Sequence, residues 1–296
     1  MSTRHARMTL SLPLLLAILF AALLHAGWNA LIKSGGDKSL DTALIHGLGV
    51  ALAVPAVLWF GLPPAAAWPY IAASTVIHIG YYTALAGAYR HGDLGLTYPV
   101  MRGSAPLLVA LGSSALLGEP LSLRAWVGVV VLSAGVLLVG LARAGGDAAD
   151  AGRRRKALGF ALANACIIAG YTVVDGLGVR AAGDPFAYVA ALFLVDGLPY
   201  LALVLWRAGP RRGAAIRYMR SRVRFALGGA AASIGSYGIA LWAMTHAPVA
   251  LVAALRETSV IFAALIGTLL LGERFGWSRA AGTGLVVAGV VTLRFG

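Results

Sequence analysis

Two arginines, Arg102 and Arg256, lie well inside apolar stretches of this 296-residue chain. Each sits seven or eight residues into its stretch, which at about 1.5 Å per helical residue is about 10–12 Å from the stretch's end. A guanidinium in hydrocarbon costs at least about 2.5–3.5 kcal/mol, so it is expected to face the protein interior or an aqueous cavity. It is always charged and matches a carboxylate or phosphate bidentately. The two arginines therefore suit the anionic group of a small substrate; the alternative is that each pairs with an internal carboxylate. Three acids share the apolar stretches, Asp175, Asp196 and Glu257. A carboxylate that takes up and releases a proton there couples transport to protons, a role assigned to Glu257 and Asp196, with service as charge partners of the arginines as the alternative. Neighbours on a helix point about 100° apart, so Arg256 and Glu257 need not pair with each other.

Aromatic and polar residues complete a candidate binding set of Arg102, Arg256, Trp28, Asn29, His78, Tyr82, Tyr98 and Tyr171. Tyr81, Tyr237 and Trp242 are further aromatics of the same kind, and His78 shares a helix face with both Tyr81 and Tyr82. Such side chains offer an apolar face with a polar tip, useful for a small amphiphilic solute. Pro99 and Pro106 flank Arg102 and free backbone carbonyls, as discontinuous transporter helices do. The six histidines are scattered and Cys166 is the only cysteine, so neither a metal cage nor a disulfide is expected. Gly35-Gly36 and Gly145-Gly146 have no phosphate-binding pattern around them, so no nucleotide cofactor is expected and ion or substrate gradients must supply the energy.

The elements that hold these residues follow from composition. The chain is 59% hydrophobic and 12% charged, against roughly 45–50% and about 25% in an average soluble domain. Too few charges remain to cover a globule, so the surplus hydrophobics must face lipid. The net charge of +13 sits in short basic runs between apolar stretches, a membrane pattern that excludes a nucleic-acid partner. Crossing the roughly 30 Å hydrocarbon core takes about 20 apolar residues. Ten spans are expected: Leu10 to Ile32, Thr42 to Phe60, Trp68 to Tyr89, Leu94 to Leu117, Leu123 to Leu141, Ala157 to Val179, Phe186 to Trp206, Phe225 to Thr245, Pro248 to Leu271 and Arg279 to Leu293. The first is read as a retained span and not a cleaved signal, because its apolar run outlasts a signal's core of about 7–15 residues. Trp59, Trp68, Trp126, Trp206 and Trp277 are expected in the interfacial belt.

An internal repeat organises the spans. Leu117-Gly118-Glu119 recurs as Leu271-Gly272-Glu273, a shift of 154 that also carries Arg102 onto Arg256, Gly128 onto Gly282 and Gly135 onto Gly289. The late part of the first span, Ala26-Gly27-Trp28-Asn29, has its counterpart in Ala169-Gly170-Tyr171-Thr172. The fold expected is an all-α polytopic membrane protein of ten transmembrane helices in two inverted five-helix repeats, residues 1–141 and 157–296, joined by a linker at 142–156. An odd number of helices per half inverts the second, and such halves place a site between them near the midplane. The glycine spacings in the last helix of each half read as close-packing surfaces or a dimer face, leaving monomer and homodimer both open.

Five plus five spans, an aromatic and a polar residue late in each half's first helix, and a Leu-Gly-Glu hairpin before each half's last helix resemble the EamA-type members of the drug/metabolite transporter superfamily. The resemblance covers nearly the whole chain. It implies a transporter and not an enzyme; known members move amino acids, nucleotide-linked sugars, other metabolites or drugs, and bacterial EamA members are often exporters. The expected function is thus secondary active transport of small polar metabolites, amino acids or related organic anions, by alternating access in the bacterial inner membrane, with export favoured. A membrane-embedded enzyme and a channel are the alternatives. Seventeen of the 24 Lys and Arg fall in the odd-numbered loops and five on the other side. That places the odd loops in the cytoplasm and both termini outside, whereas the resemblance implies cytoplasmic termini for several members; the charge count is the reading followed.

Overall fold

In the computed structural model, residues 10–91, 94–141, 151–271 and 276–295 are described, with the side chains of 82–91, 94–96, 140–141, 151, 153–154 and 270–271 left aside. The described residues form α-helices α1 (Leu12–Lys33), α2 (Lys38–Phe60), α3 (Trp68–His91), α4 (Leu94–Leu116), α5 (Leu123–Leu141), α6 (Ala151–Ala182), α7 (Pro185–Ala208), α8 (Arg212–Met244), α9 (Val249–Arg256), α10 (Ser259–Leu271) and α11 (Trp277–Phe295), and no strand. The stretches Leu12–Lys33, Lys38–Phe60, Arg155–Ala182, Pro185–Met244 and Val249–Leu269 are long and apolar enough to cross a membrane, and Leu123–Val139 is a shorter apolar helix. The chain is a multi-pass membrane protein.

Local sequence explains several helix ends. Ser11, Asp37 and Asp184 cap α1, α2 and α7 by accepting the N–H of Leu14, Leu40 and Phe186, so each relieves a backbone donor that lipid would leave unpaired. Gly118 turns the chain after α4 with φ +65°, a conformation costly for any residue with a Cβ.

Two expectations are corrected. The ninth span is not one helix: at Glu257 and Thr258 it tightens, with Glu257 N–H donating to Ala254 O and Thr258 N–H to Leu255 O, and the chain continues as α10. Thr258 also turns its hydroxyl onto Leu255 O at 2.7 Å. These i→i+3 bonds wind the chain more tightly than an α-helix and separate the two parts of the span. Secondly, α6 and α8 begin well before Ala157 and Phe225, and their 32 and 33 residues span about 48–50 Å, longer than the hydrocarbon core. The basic runs therefore continue these helices past the membrane surface, as the good helix propensity of arginine allows.

Packing pairs distant helices: α1 lies on α8, α3 on α6, α2 on α7, and α5 on α11. The α5–α11 seam is built on glycines. A Cβ on Gly128 would meet Leu293 at 2.8 Å, and one on Gly282 would meet Val139 at 2.7 Å; Gly135 is held against Val286, and Gly289 against Leu132. Adding 154 to the first-half residue and subtracting it from the second carries each of these contacts onto another of the same set. Outward-facing Leu58, Trp59, Leu116, Leu123, Trp206, Leu269 and Trp277 leave an apolar exterior, as lipid requires. Trp59, Trp206 and Trp277 project freely from it, whereas Trp126 is partly packed on the core.

Candidate functional site

The shift of 154 gives Arg102 and Arg256 equivalent places on α4 and α9, yet their partners differ. Arg102 Nε lies 2.8 Å from Glu257 Oε2, and the side chains are 12% and 6% exposed. Arg102 Nη2 also reaches Ser259 Oγ at 3.4 Å, across the α9–α10 break. The position equivalent to Glu257 in the first half is Gly103, where a Cβ would meet Leu137 at 2.5 Å, so no carboxylate fits there. Arg256 accordingly has no ion pair among the described residues. Its guanidinium lies 5.1 Å from the centroid of the Tyr237 ring, and its buried Nε makes no hydrogen bond among the described residues.

Both arginines line one small cavity, which has room for little more than water. Its walls come from α4 (Ala105, Pro106, Val109), α6 (Ile168, Tyr171, Thr172) and α9 (Ala253, Glu257). Two cations and one carboxylate leave it a net positive charge beside apolar walls, where a desolvated charge acts strongly. The prolines of α4 lie within a continuous helix, so its carbonyls are not exposed as an unwound segment.

The remaining candidates distribute unevenly. Tyr171 forms a cavity wall, stacks on His78 with centroids 4.3 Å apart and meets the edge of Tyr81. Tyr98 packs one turn from Arg102 against the cluster of Met101, Ala105 and Ala161. Trp28 turns its edge to His25, and Asn29 Nδ2 donates to His25 O at 2.8 Å, so α1 uses both locally and neither lines the cavity. The Tyr82 side chain and Glu273 lie outside the described residues. His78 Nδ1 is 3.8 Å from Asp196 Oδ1, which places those two candidates together in a second polar group behind Tyr171.

Sequence reasoning did not join the residues that complete this second group. Asp175 Oδ1 accepts from Tyr188 OH at 2.8 Å, and Oδ2 accepts from Ser74 Oγ at 3.0 Å and from Tyr237 OH. The available signal was the four-residue spacing of Tyr171 and Asp175, which sets both on one face of α6.

Polar clasps close both ends of the bundle. At the end that carries the start of α1, Glu119 pairs with Arg180 and accepts the N–H of Val249 at 2.9 Å, capping α9. Arg180 also donates to Met244 O at the end of α8. At the opposite end Arg222 Nε holds Asp41 Oδ1 at 3.1 Å, and Tyr218 OH donates to Asp41 Oδ2 while accepting the N–H groups of Gly36 and Asp37.

The chain resembles a solved crystal structure at 22% sequence identity, with a TM-score of 0.74 over 95% of this chain and 96% of that one, a likeness of fold. None of the curated proteins compared with the chain matches it. The model of the EamA-like transporter family matches residues 155–295, which hold α9, Arg256, Asp175, Tyr188 and Tyr237. The second half of the chain thus carries the signature of the EamA-like transporters, that of the drug/metabolite transporter superfamily.

Proposed function

We propose that the chain is a secondary active transporter of small polar metabolites, amino acids or related organic anions, working as an exporter by alternating access in the bacterial inner membrane. The observation that carries this reading is Arg256, a membrane-embedded cation with a ring contact but no ion-pair partner among the described residues, lining a cavity between α4, α6 and α9. A substrate carboxylate or phosphonate supplies the missing partner bidentately, while Tyr171, Val109 and Ile168 take its apolar part. Arg102 is held by Glu257 and shapes the site's field; Tyr98 and His78 support the aromatic wall.

Two five-helix halves, 1–141 and 157–296 about the linker 142–156, are supported by the packing. Exchanging the halves turns the α1–α8 contact into that of α6 with α3 and returns the α5–α11 seam to itself, as inverted repeats do. Glu257 and Asp196 are the carboxylates assigned to proton coupling. The α5–α11 seam packs within one chain, which favours a monomer over a homodimer built on those glycines.

A thermal-shift screen of the purified protein against amino acids, organic anions and phosphonates tests the reading. A ligand present at about 100 times its Kd adds about 2.7 kcal/mol to stability, enough to register as a raised Tm. The expected result is a shift in wild type that Arg256→Gln abolishes, followed by saturable counterflow of the same ligand in vesicles. Stabilisation that survives Arg256→Gln overturns the anionic-substrate reading; chemical turnover of the ligand would point to an enzyme, and non-saturating flux to a channel.

A further inference from the structure

Asp175 is fully buried, on α6, and among the described residues its three hydrogen-bond partners are hydroxyls from other helices: Ser74 on α3, Tyr188 on α7 and Tyr237 on α8. We propose that Asp175 is the site that carries the exchangeable proton. The inference rests on the transport reading above, and it moves the proton-holding role off Glu257.

The chemistry of the partners separates the two carboxylates. Glu257 lies against Arg102, a group that donates only and is always charged, so a proton on Glu257 would strand a buried guanidinium. A hydroxyl both donates and accepts. When Asp175 takes a proton, one of its three hydroxyls can turn from donor to acceptor of the new O–H, which a guanidinium cannot do. The cluster therefore accommodates both the acid and the carboxylate, as a group that must cycle between them requires.

Asp196 Oδ1 lies 3.8 Å from His78 Nδ1, and that nitrogen lies 3.4 Å from Ser74 Oγ, which donates to Asp175 Oδ2 at 3.0 Å. The same His78 Nδ1 donates to Ser74 O at 2.9 Å, so it carries its own hydrogen and takes none from Asp196. The charged and titratable groups around Asp175 are Tyr171 on α6, His78 on α3, Tyr188 and Asp196 on α7, Tyr237 on α8 and His46 on α2, which acts on Asp196 and His78. Arg256 on α9 lies across the Tyr237 ring, and the Arg102–Glu257 pair lies beyond Tyr171.

Tyr237 ties Asp175 to the substrate cation: its hydroxyl bonds Asp175 and its face carries Arg256. A proton on Asp175 removes a negative charge from behind that ring and favours an anion at Arg256. Proton and anion then travel together, and the substrate's own gradient drives export.

Infrared difference spectra of the full chain, acidified stepwise without any solute, test the site directly. The expected result is a carboxylic C=O band that grows on acidification in wild type and in Asp196→Asn and is missing in Asp175→Asn. Ser74→Ala and Tyr188→Phe each remove one donor, and both are expected to shift the band's frequency and midpoint. A band that survives Asp175→Asn, or that neither donor variant moves, overturns the proposal. In vesicles loaded with labelled L-amino acids, Asp175→Asn is expected to keep counterflow and lose the response to an imposed pH gradient; a response equal to wild type overturns the proposal. A wild type that moves none of these solutes overturns the transport reading alone, and the infrared spectra still decide the proton site.

Discussion

At the scale of single residues, the two arginines separate by what would be left behind if each were altered. Glu257→Gln leaves Arg102 buried beside a neutral amide, and removing one member of a buried pair costs about 3–5 kcal/mol. Arg256→Gln removes a cation whose contact is a ring face, worth about 0.5–2 kcal/mol, and it also relieves an uncompensated charge. Thermal unfolding in detergent is expected to show a large loss for Glu257→Gln and a shift near zero for Arg256→Gln, while substrate binding is lost with Arg256→Gln. Equal destabilisation by both would place Arg256 in the scaffold. The sequence marks these arginines by their depth and their common register, but their division of labour is not written locally. It depends on Gly103 being pressed against Leu137 where Glu257 has its counterpart, and on the α9–α10 turn that brings Ser259 to Arg102. Asp175 was legible as an acid within a span, but its three hydroxyl partners come from α3, α7 and α8, and no local spacing announces them.

At the scale of elements, close approach decides which glycines matter. A methyl on Gly135 would stand 2.7 Å from Val286 N, and one on Gly289 2.8 Å from Leu132 N; both obstacles are backbone, which cannot rotate away. Gly135→Ala and Gly289→Ala are each expected to cost about 1–3 kcal/mol through overpacking. Gly228 on α8 meets nothing within 4 Å, so Gly228→Ala is expected to stabilise by up to about 1 kcal/mol through helix propensity. Melting temperatures of the three variants read the signs directly, and a gain at Gly135 or Gly289 would contradict the seam. The seam was foreseeable because glycine spacing and repeat register are both sequence properties. The division of the ninth span was not, since Thr258 is an ordinary residue in an apolar run and its hydroxyl bond to Leu255 O is seen only in the folded chain.

At the scale of the whole molecule, the two clasps sit at opposite ends of the bundle with the cavity closed between them. Glu119 and Arg180 tie the α4–α5 turn to the ends of α6, α8 and α9, while Arg222 and Tyr218 tie α8 to the start of α2. Alternating access needs one of these to open while the other holds. The Glu119–Arg180 pair is partly exposed and worth about 1 kcal/mol or less, with the cap on α9 adding about 0.5–2 kcal/mol, whereas Asp41 is buried and its pair with Arg222 costs more to break. Such energies keep an end shut and still let thermal motion open it. With Cys166 first replaced by Ala, a cysteine placed at Val109 in the cavity wall reports access to a membrane-impermeant maleimide. Glu119→Ala is expected to raise labelling from the side bearing the start of α1, and Asp41→Asn from the side bearing the basic runs. Each variant should act on its own side alone, because opening one end leaves the other clasp intact. Labelling that rises from both sides at once would mean that either substitution loosens the whole bundle, and the clasps would then be scaffold contacts with no part in gating.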